Sequence, residues 1–246
     1  DAVDPEPIDI SPTTGYVNPD TGLHEIEVSL PGLSEEARPL TMVLVPAGSF
    51  TMGCPEDERG FVGREWPPHQ ITITKPFYIG KFEITQAQWE AVMGENPSAK
   101  LGVGENFPVH SVSWDDCREF LSRLNVMNAG TVRLPTEAEW EYTCRTGTTT
   151  RFFFGDALEC DDQCEFCEIF DRHMWWCGNY TTPGAKEVGR KEPNAWGVYD
   201  IHGNVWEFCS DWYEDPSERG LQVDPTGPDS GEYRVIRGGH YANNAE

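Results

Sequence analysis

Positive charge is scarce in this chain, and long apolar runs are missing from it. Eighteen Lys and Arg stand against 42 Asp and Glu, giving a formal net charge of −24 over 246 residues. A surface of that sign repels nucleic-acid phosphates and anionic lipid, and it favours divalent cations or basic partners. No window approaches the roughly 18–20 apolar residues that a membrane-crossing helix needs. Neither a nucleic-acid partner nor a membrane span is therefore expected. The opening stretch also lacks a cationic segment and an apolar one, and it starts at Asp1 rather than Met. That is the look of a mature N-terminus after removal of a signal. What is present suits a folded domain: 38% hydrophobic and 12% aromatic residues can fill a core, and 24 Gly with 19 Pro predict many turns. Eight cysteines fit an oxidising, extracytoplasmic setting, with metal binding as the alternative.

Along the chain, residues 1–40 read as an extended arm with one strand. Ile26, Val28 and Leu30 alternate with Glu25, Glu27 and Ser29 over 24–30, a pattern suited to docking on a partner. The compact domain spans 41–246. Its first strands are expected at 42–46, 48–53, 70–74 and 77–83. Three helix starts follow, each marked by a capping box in which a Ser or Thr and a residue three positions on satisfy each other's backbone N–H groups. The pairs are Thr85 with Gln88, Ser113 with Asp116, and Thr136 with Glu139. Gly94 ends the first helix. In the second, Trp114, Cys117, Leu121 and Leu124 fall on one face.

After residue 145 the pattern changes. Short aromatic runs sit between Gly, Asn, Pro and Asp, and only 233–236 reads as a clear strand. A half so rich in loops needs metal, disulfides or packed tryptophans to order it. Cys160, Cys164, Cys167 and Cys177 form a dense local set that suits two disulfides or a metal cluster. Trp114, Trp140, Trp206 and Trp212 read as core, and His69, His110, His202 and His240 as packing or hydrogen-bonding residues. Asn179-Tyr180-Thr181 is a glycan acceptor sequence in a host that has the machinery.

Six segments in order carry a family resemblance: 45–53 (VPAGSFTMG), 78–86 (YIGKFEITQ), 108–114 (PVHSVSW), 133–142 (RLPTEAEWEY), 197–207 (GVYDIHGNVWE) and 237–239 (RGG). Together they resemble the sulfatase-modifying-factor family, the domain of the formylglycine-generating enzymes. The resemblance implies an irregular, loop-rich α+β fold of the C-type-lectin kind, export in many members, and bound calcium. It also implies that the family's C-terminal end is missing here, and with it the usual partner of Cys144. Asp200, Gly203, Val205 and Glu207 match one calcium site of the family. In the oxidases of the family a catalytic cysteine follows the Gly-Gly pair, and a second follows five residues later. Here the segment runs Gly238-Gly239-His240-Tyr241-Ala242-Asn243-Asn244, so the cysteine position holds Asn243. An amide cannot become the thiolate that binds Cu(I), so copper is not expected.

The expectation is accordingly a non-catalytic, secreted or otherwise extracytoplasmic binding or accessory protein. Calcium would stabilise it, and a protein partner or an extracellular assembly would be its target. Its ligand surface would be His240, Tyr241, Asn243, Asn244 and Trp206. An oxidase with altered metal or cofactor chemistry, and a hypervariable ligand-binding protein, are the two alternatives.

Overall fold

A computed structural model describes residues 15–19, 21–56, 58, 65–98, 100–127, 131–160, 163–215 and 220–245. Strands β1 (Tyr16–Val17), β2 (His24–Val28), β3 (Leu40–Val45) and β6 (Phe77–Gly80) form an antiparallel sheet in the order β1-β2-β3-β6. A second sheet has the order β4 (Gly48–Met52), β5 (His69–Ile73) and β8 (Gln222–Val223), with β5 and β8 parallel. A third pairs β7 (Glu207–Trp212) with β9 (Arg234–Arg237). Helices α1 (Gln86–Met93), α2 (Trp114–Met127), α3 (Glu137–Arg145) and α4 (Glu168–His173) sit around these small sheets.

The capping boxes at Thr85 and Thr136 both close, with each Thr side chain accepting from the N3 backbone and the N3 side chain reaching back. Ser113 and Asp116 exchange the same pair of bonds at the start of α2. Gly94 ends α1 at φ 86°, a conformation that costs glycine nothing. In α2 the buried residues are Phe120 and Leu124. Trp114, Cys117 and Leu121 lie half-buried beside them, so the inner face is turned slightly toward Phe120, which stacks on Trp89 of α1 at 5.0 Å.

The strand expected in the arm is β2, and it forms part of the domain's own sheet. It pairs along its length with β3, from Glu25 opposite Val43 to Val28 opposite Leu40. The reason lies in its alternation. Glu25 is buried and accepts from Lys81 Nζ at 2.9 Å, Tyr16 Oη at 2.8 Å and Asn18 Nδ2 at 2.6 Å, so the strand has a polar anchor inside its own sheet. Residues 1–14 and 20 of the arm lie outside the described residues.

Four buried clusters hold the domain together. One packs α3 against β3 and β9 through Val43, Trp140, Val198 and Val235. Another joins β3, β4, β5 and α3 through Val45, Ile71, Ile73 and Tyr142. A third packs α1 on α2. The fourth belongs to the loop-rich half, where Phe152, Phe170, Met174 and Trp176 enclose Cys160 and Ala245. Beside it, cysteines staple the loop as Cys160–Cys167 and Cys164–Cys177. The four thiols of that segment are thus paired as two disulfides.

Candidate functional site

The segment 197–207 builds the floor of the site by a run of unusual backbone angles. Gly203 has φ 97°, and a Cβ there would lie 2.0 Å from the Trp175 carbonyl oxygen, so only glycine permits the Trp175–Gly203 bridge. Asp200 at φ 56° and Asn204 at φ 55° take left-handed angles without being glycine. Such conformations persist where surrounding bonds over-determine them, and they gather at functional sites. The bonds are visible here. Asn204 Oδ1 accepts from the Lys186 N–H at 2.8 Å, and its Nδ2 donates to Glu83 Oε2 at 2.7 Å. The Val205 N–H donates to Glu83 Oε1 at 3.0 Å.

These inward bonds overturn one expectation. Trp206 was read as core, yet it is 45% exposed. With Asn204 and the Val205 N–H turned toward Glu83, and Glu207 turned toward the Trp140 indole N–H at 2.9 Å, the residue between them points outward. Trp140 itself is buried. Trp114 and Trp212 are half-buried, and the Arg234 guanidinium lies 3.5 Å from each ring centroid.

Three carboxylates face this floor: Glu83, Asp200 and Glu207. Burial raises the Asp200 pKa to about 6, opposed by the Gly189 N–H, which donates to its Oδ2 at 2.6 Å. Burial likewise lifts Glu207 to about 7, against the pull of the Trp140 hydrogen bond. Glu83 is raised by burial first, then by the negative charges of Asp200 and Glu207. Asp200 Oδ1 is buried and has no hydrogen-bond partner. Among the described residues no three His, Cys, Asp or Glu side chains converge as a metal-holding cluster. Any cation here must therefore rely on two carboxylates and on backbone carbonyl oxygens. An orphaned, buried carboxylate oxygen beside further raised acids fits that donor set, since hard oxygen donors are what Ca²⁺ takes.

Above the floor runs the lip, residues 240–244. Asn243 is not a reactive side chain but a turn former. Its Oδ1 accepts from the His240 N–H at 2.9 Å, its N–H donates to the His240 carbonyl at 2.9 Å, and its carbonyl accepts from Cys177 N at 2.9 Å. Tyr241 stacks on Tyr180 with ring centroids 5.5 Å apart, and His240 lies edge-on to Trp206 at 6.1 Å. Asn244 is half-buried at the end of the lip. The expected surface residues His240, Tyr241 and Trp206 are thus brought together. Tyr180, Lys186 and Glu83 also belong to this region. Glu83 carried a sequence signal, a lone acid between Phe82 and Ile84 in an apolar stretch, whereas Lys186 in its Pro-Gly-Ala-Lys loop carried none.

The histidines divide. His69 is buried and bonds Pro67 O at 3.1 Å, while His110 bridges Ser111 Oγ at 3.0 Å and Leu101 O at 2.6 Å. His202 lies 3.6 Å from the Cys144 sulfur inside a cage of Phe152, Phe153 and Phe154. Burial drops His202 to about 3 and lifts Cys144 to about 12, so both stay neutral and no thiolate forms there. Asn179 of the glycan sequence is 8% exposed. Its Nδ2 donates to Asp171 Oδ1 at 2.9 Å and to Met174 O at 3.0 Å, so in the fold it is not an open acceptor.

Comparison with known proteins agrees with this architecture. The formylglycine-generating enzyme of Streptomyces coelicolor is 38% identical over 263 residues, covering 81% of this chain and 78% of that protein. Chaperone protein LppX of Paenibacillus barcinonensis is 30% identical, covering 71% of this chain and 72% of its own. Among solved structures, Treponema denticola variable protein 1 superposes with a TM-score of 0.73 at 26% identity, over 90% of this chain and 89% of that one. Residues 29–246 match the sulfatase-modifying factor enzyme 1-like domain. By that match, by these relatives and by its mixed α+β architecture of small sheets and loops, the chain belongs to the sulfatase-modifying factor family, that of the formylglycine-generating enzymes.

Proposed function

We propose that this protein is a non-catalytic binding or accessory protein on the formylglycine-generating-enzyme scaffold, acting outside the cytoplasm and stabilised by calcium. The observation that carries the reading is Asn243. It stands where the resemblance places a catalytic cysteine, and both its amide and its backbone are engaged in closing the lip turn. Without a thiolate at that position the soft-ligand pair that would hold Cu(I) is missing. What the lip offers instead is a surface of rings and donors, the residue types that adaptable binding surfaces use.

Supporting the location are the two disulfides, which persist in oxidising compartments. No helix among the described residues is long and apolar enough to cross a membrane. Supporting calcium are the raised acids of the floor and the orphaned Asp200 Oδ1. Asp200 and Glu207 would give carboxylate oxygens and Gly203 and Val205 backbone carbonyls. A bound cation would supply the positive charge that the floor lacks. The likeness to a variable protein favours, as a second reading, a lip diversified for ligand binding.

The test is dioxygen uptake in the presence of copper and a cysteine-containing peptide. The expected result is no uptake above the protein-free control and an unchanged peptide thiol. Catalytic uptake matched by loss of that thiol would overturn the reading.

A further inference from the structure

In a protein of net charge −24, one ammonium at the lip pairs with no acid among the described residues. Lys186 Nζ donates to the Thr182 and Gly184 carbonyls at 2.7 and 2.6 Å. It sits 5.6 Å from the Tyr180 ring centroid and 5.5 Å from that of Tyr241. Among the described residues no carboxylate lies within ion-pair distance of it. Burial lowers its pKa. An ammonium carries three N–H donors, so one remains after the two carbonyls are served. The two tyrosines that flank it lie nearly parallel, 7° apart, and hold the side chain in place.

A second donor stands farther along the same strip. His240 Nδ1 accepts the Ala242 N–H at 3.0 Å, which fixes the neutral imidazole with its proton on Nε2. Nε2–H is thus available at the surface. From Tyr180 through Tyr241 and His240 to Trp206, each ring neighbours the next, at 5.5, 5.3 and 6.1 Å between centroids.

We propose that the lip binds a single carboxylate carried on a flat or puckered six-membered ring. The carboxylate meets the third N–H of Lys186, the ring packs along the strip from Tyr241 toward Trp206, and a ring hydroxyl meets His240 Nε2–H. A monoanion is favoured over phosphate or a polyanion for two reasons. One ammonium with one free donor offers less than the several cations or backbone N–H groups that gather a phosphate. The strongly acidic surface also repels multiply charged ligands, while at about 8 Å of screening a single charge feels chiefly its local partner. A cationic ligand is disfavoured by Lys186 itself. This inference rests on the binding reading above.

Isothermal titration calorimetry of the intact protein tests it, with 4-hydroxybenzoate and glucuronate as probes, each set against its uncharged counterpart, 4-hydroxybenzamide or glucose. The expected result is that one acid binds about tenfold or more tighter than its neutral partner, as a charge-assisted hydrogen bond implies. Lys186→Met should erase that preference and Lys186→Arg should retain it. Which acid prevails tells an aromatic ring from a sugar ring. Equal affinity for acid and neutral partner, a preference that survives Lys186→Met, or no binding of either acid would overturn the ligand class. None of those results touches the dioxygen assay, so failure of this inference is separable from failure of the binding reading.

Discussion

Two groups of acids meet at Trp140, and they are built on opposite terms. On one side Arg237 forks to Glu65 at 2.6 Å and Glu141 at 2.8 Å, with Glu137 at 3.6 Å, while Arg145 takes the other oxygen of Glu141 at 2.8 Å. On the other side Glu83, Asp200 and Glu207 have no Lys or Arg in ion-pair contact among the described residues. The contrast is sharpest across the β7–β9 ladder, where Glu207 and Arg237 are direct partners. Arg237 nonetheless serves Glu65 and Glu141, and Glu207 is left with the indole of Trp140. Burial alone would raise Glu141, but the two guanidinium groups outweigh it and hold its pKa below the usual range. The other three acids are all raised. One cluster is neutralised by its own guanidinium groups, and the other has none in contact among the described residues; the calcium proposed above would take that place.

Arg237→Met should break the complete cluster. It takes the guanidinium from Glu65 and leaves Glu141 with Arg145 as its one remaining cation, and removing one partner of a buried pair costs about 3–5 kcal/mol. Urea unfolding reads this directly, and a loss below about 1 kcal/mol would mean that the cluster is not what holds α3 to β9. Calcium should act on the other group alone. In saturating calcium, at about 100 times its dissociation constant, the unfolding free energy should rise by about 2.7 kcal/mol relative to excess chelator. Asp200→Asn should abolish that rise while leaving Arg237 untouched. An unchanged midpoint in calcium would place both clusters in the same self-sufficient class. The smallest effect is that of pH. Because the folded pKa of Glu141 is depressed, its contribution is whole above the ordinary glutamate value of about 4.3 and is lost as pH falls toward the folded value. Stability measured between about pH 5 and pH 3 should therefore decline more steeply in the wild type than in Glu141→Gln.

The same division governs what the sequence reveals. Helices α1, α2 and α3 were readable because caps are local. Thr85, Ser113 and Thr136 each announce their own first turn within four residues. Strands β2 and β5 were readable by alternation, and β3, β4, β6 and β9 as short strand-like segments between turns. Strands β7 and β8 were not. In Glu207–Trp212 the buried residues are Cys209 and Asp211, on the parity that carries the acids, while Phe208 and Trp212 lie half-buried on the other, so no apolar face announces itself. Gln222–Val223 is two residues long and is held by β5, about 150 positions earlier in the chain. The site was legible in the same measure. Motif positions gave Asp200, Gly203, Val205 and Glu207 as candidates, whereas Tyr180 and Lys186, close in sequence, meet Tyr241 through loop closures of 55 residues and more that no spacing rule encodes. Trp206 was misread because a residue flanked by inward-facing neighbours looks apolar and central until the turn geometry is known.

The burial of Asn179 bears on how the protein should be made. An oligosaccharyltransferase modifies the amide nitrogen while the chain is still entering the secretory pathway. In the fold that nitrogen is held by Asp171 and Met174, and its oxygen by the Trp176 N–H at 3.1 Å. A sugar added first would deny α4 and Trp176 their common anchor, beside the Cys164–Cys177 bridge. Expression in a eukaryotic secretory host would then sort molecules by which event came earlier, folding or modification. A bacterial periplasm, with no such competition at this sequence, would return one species.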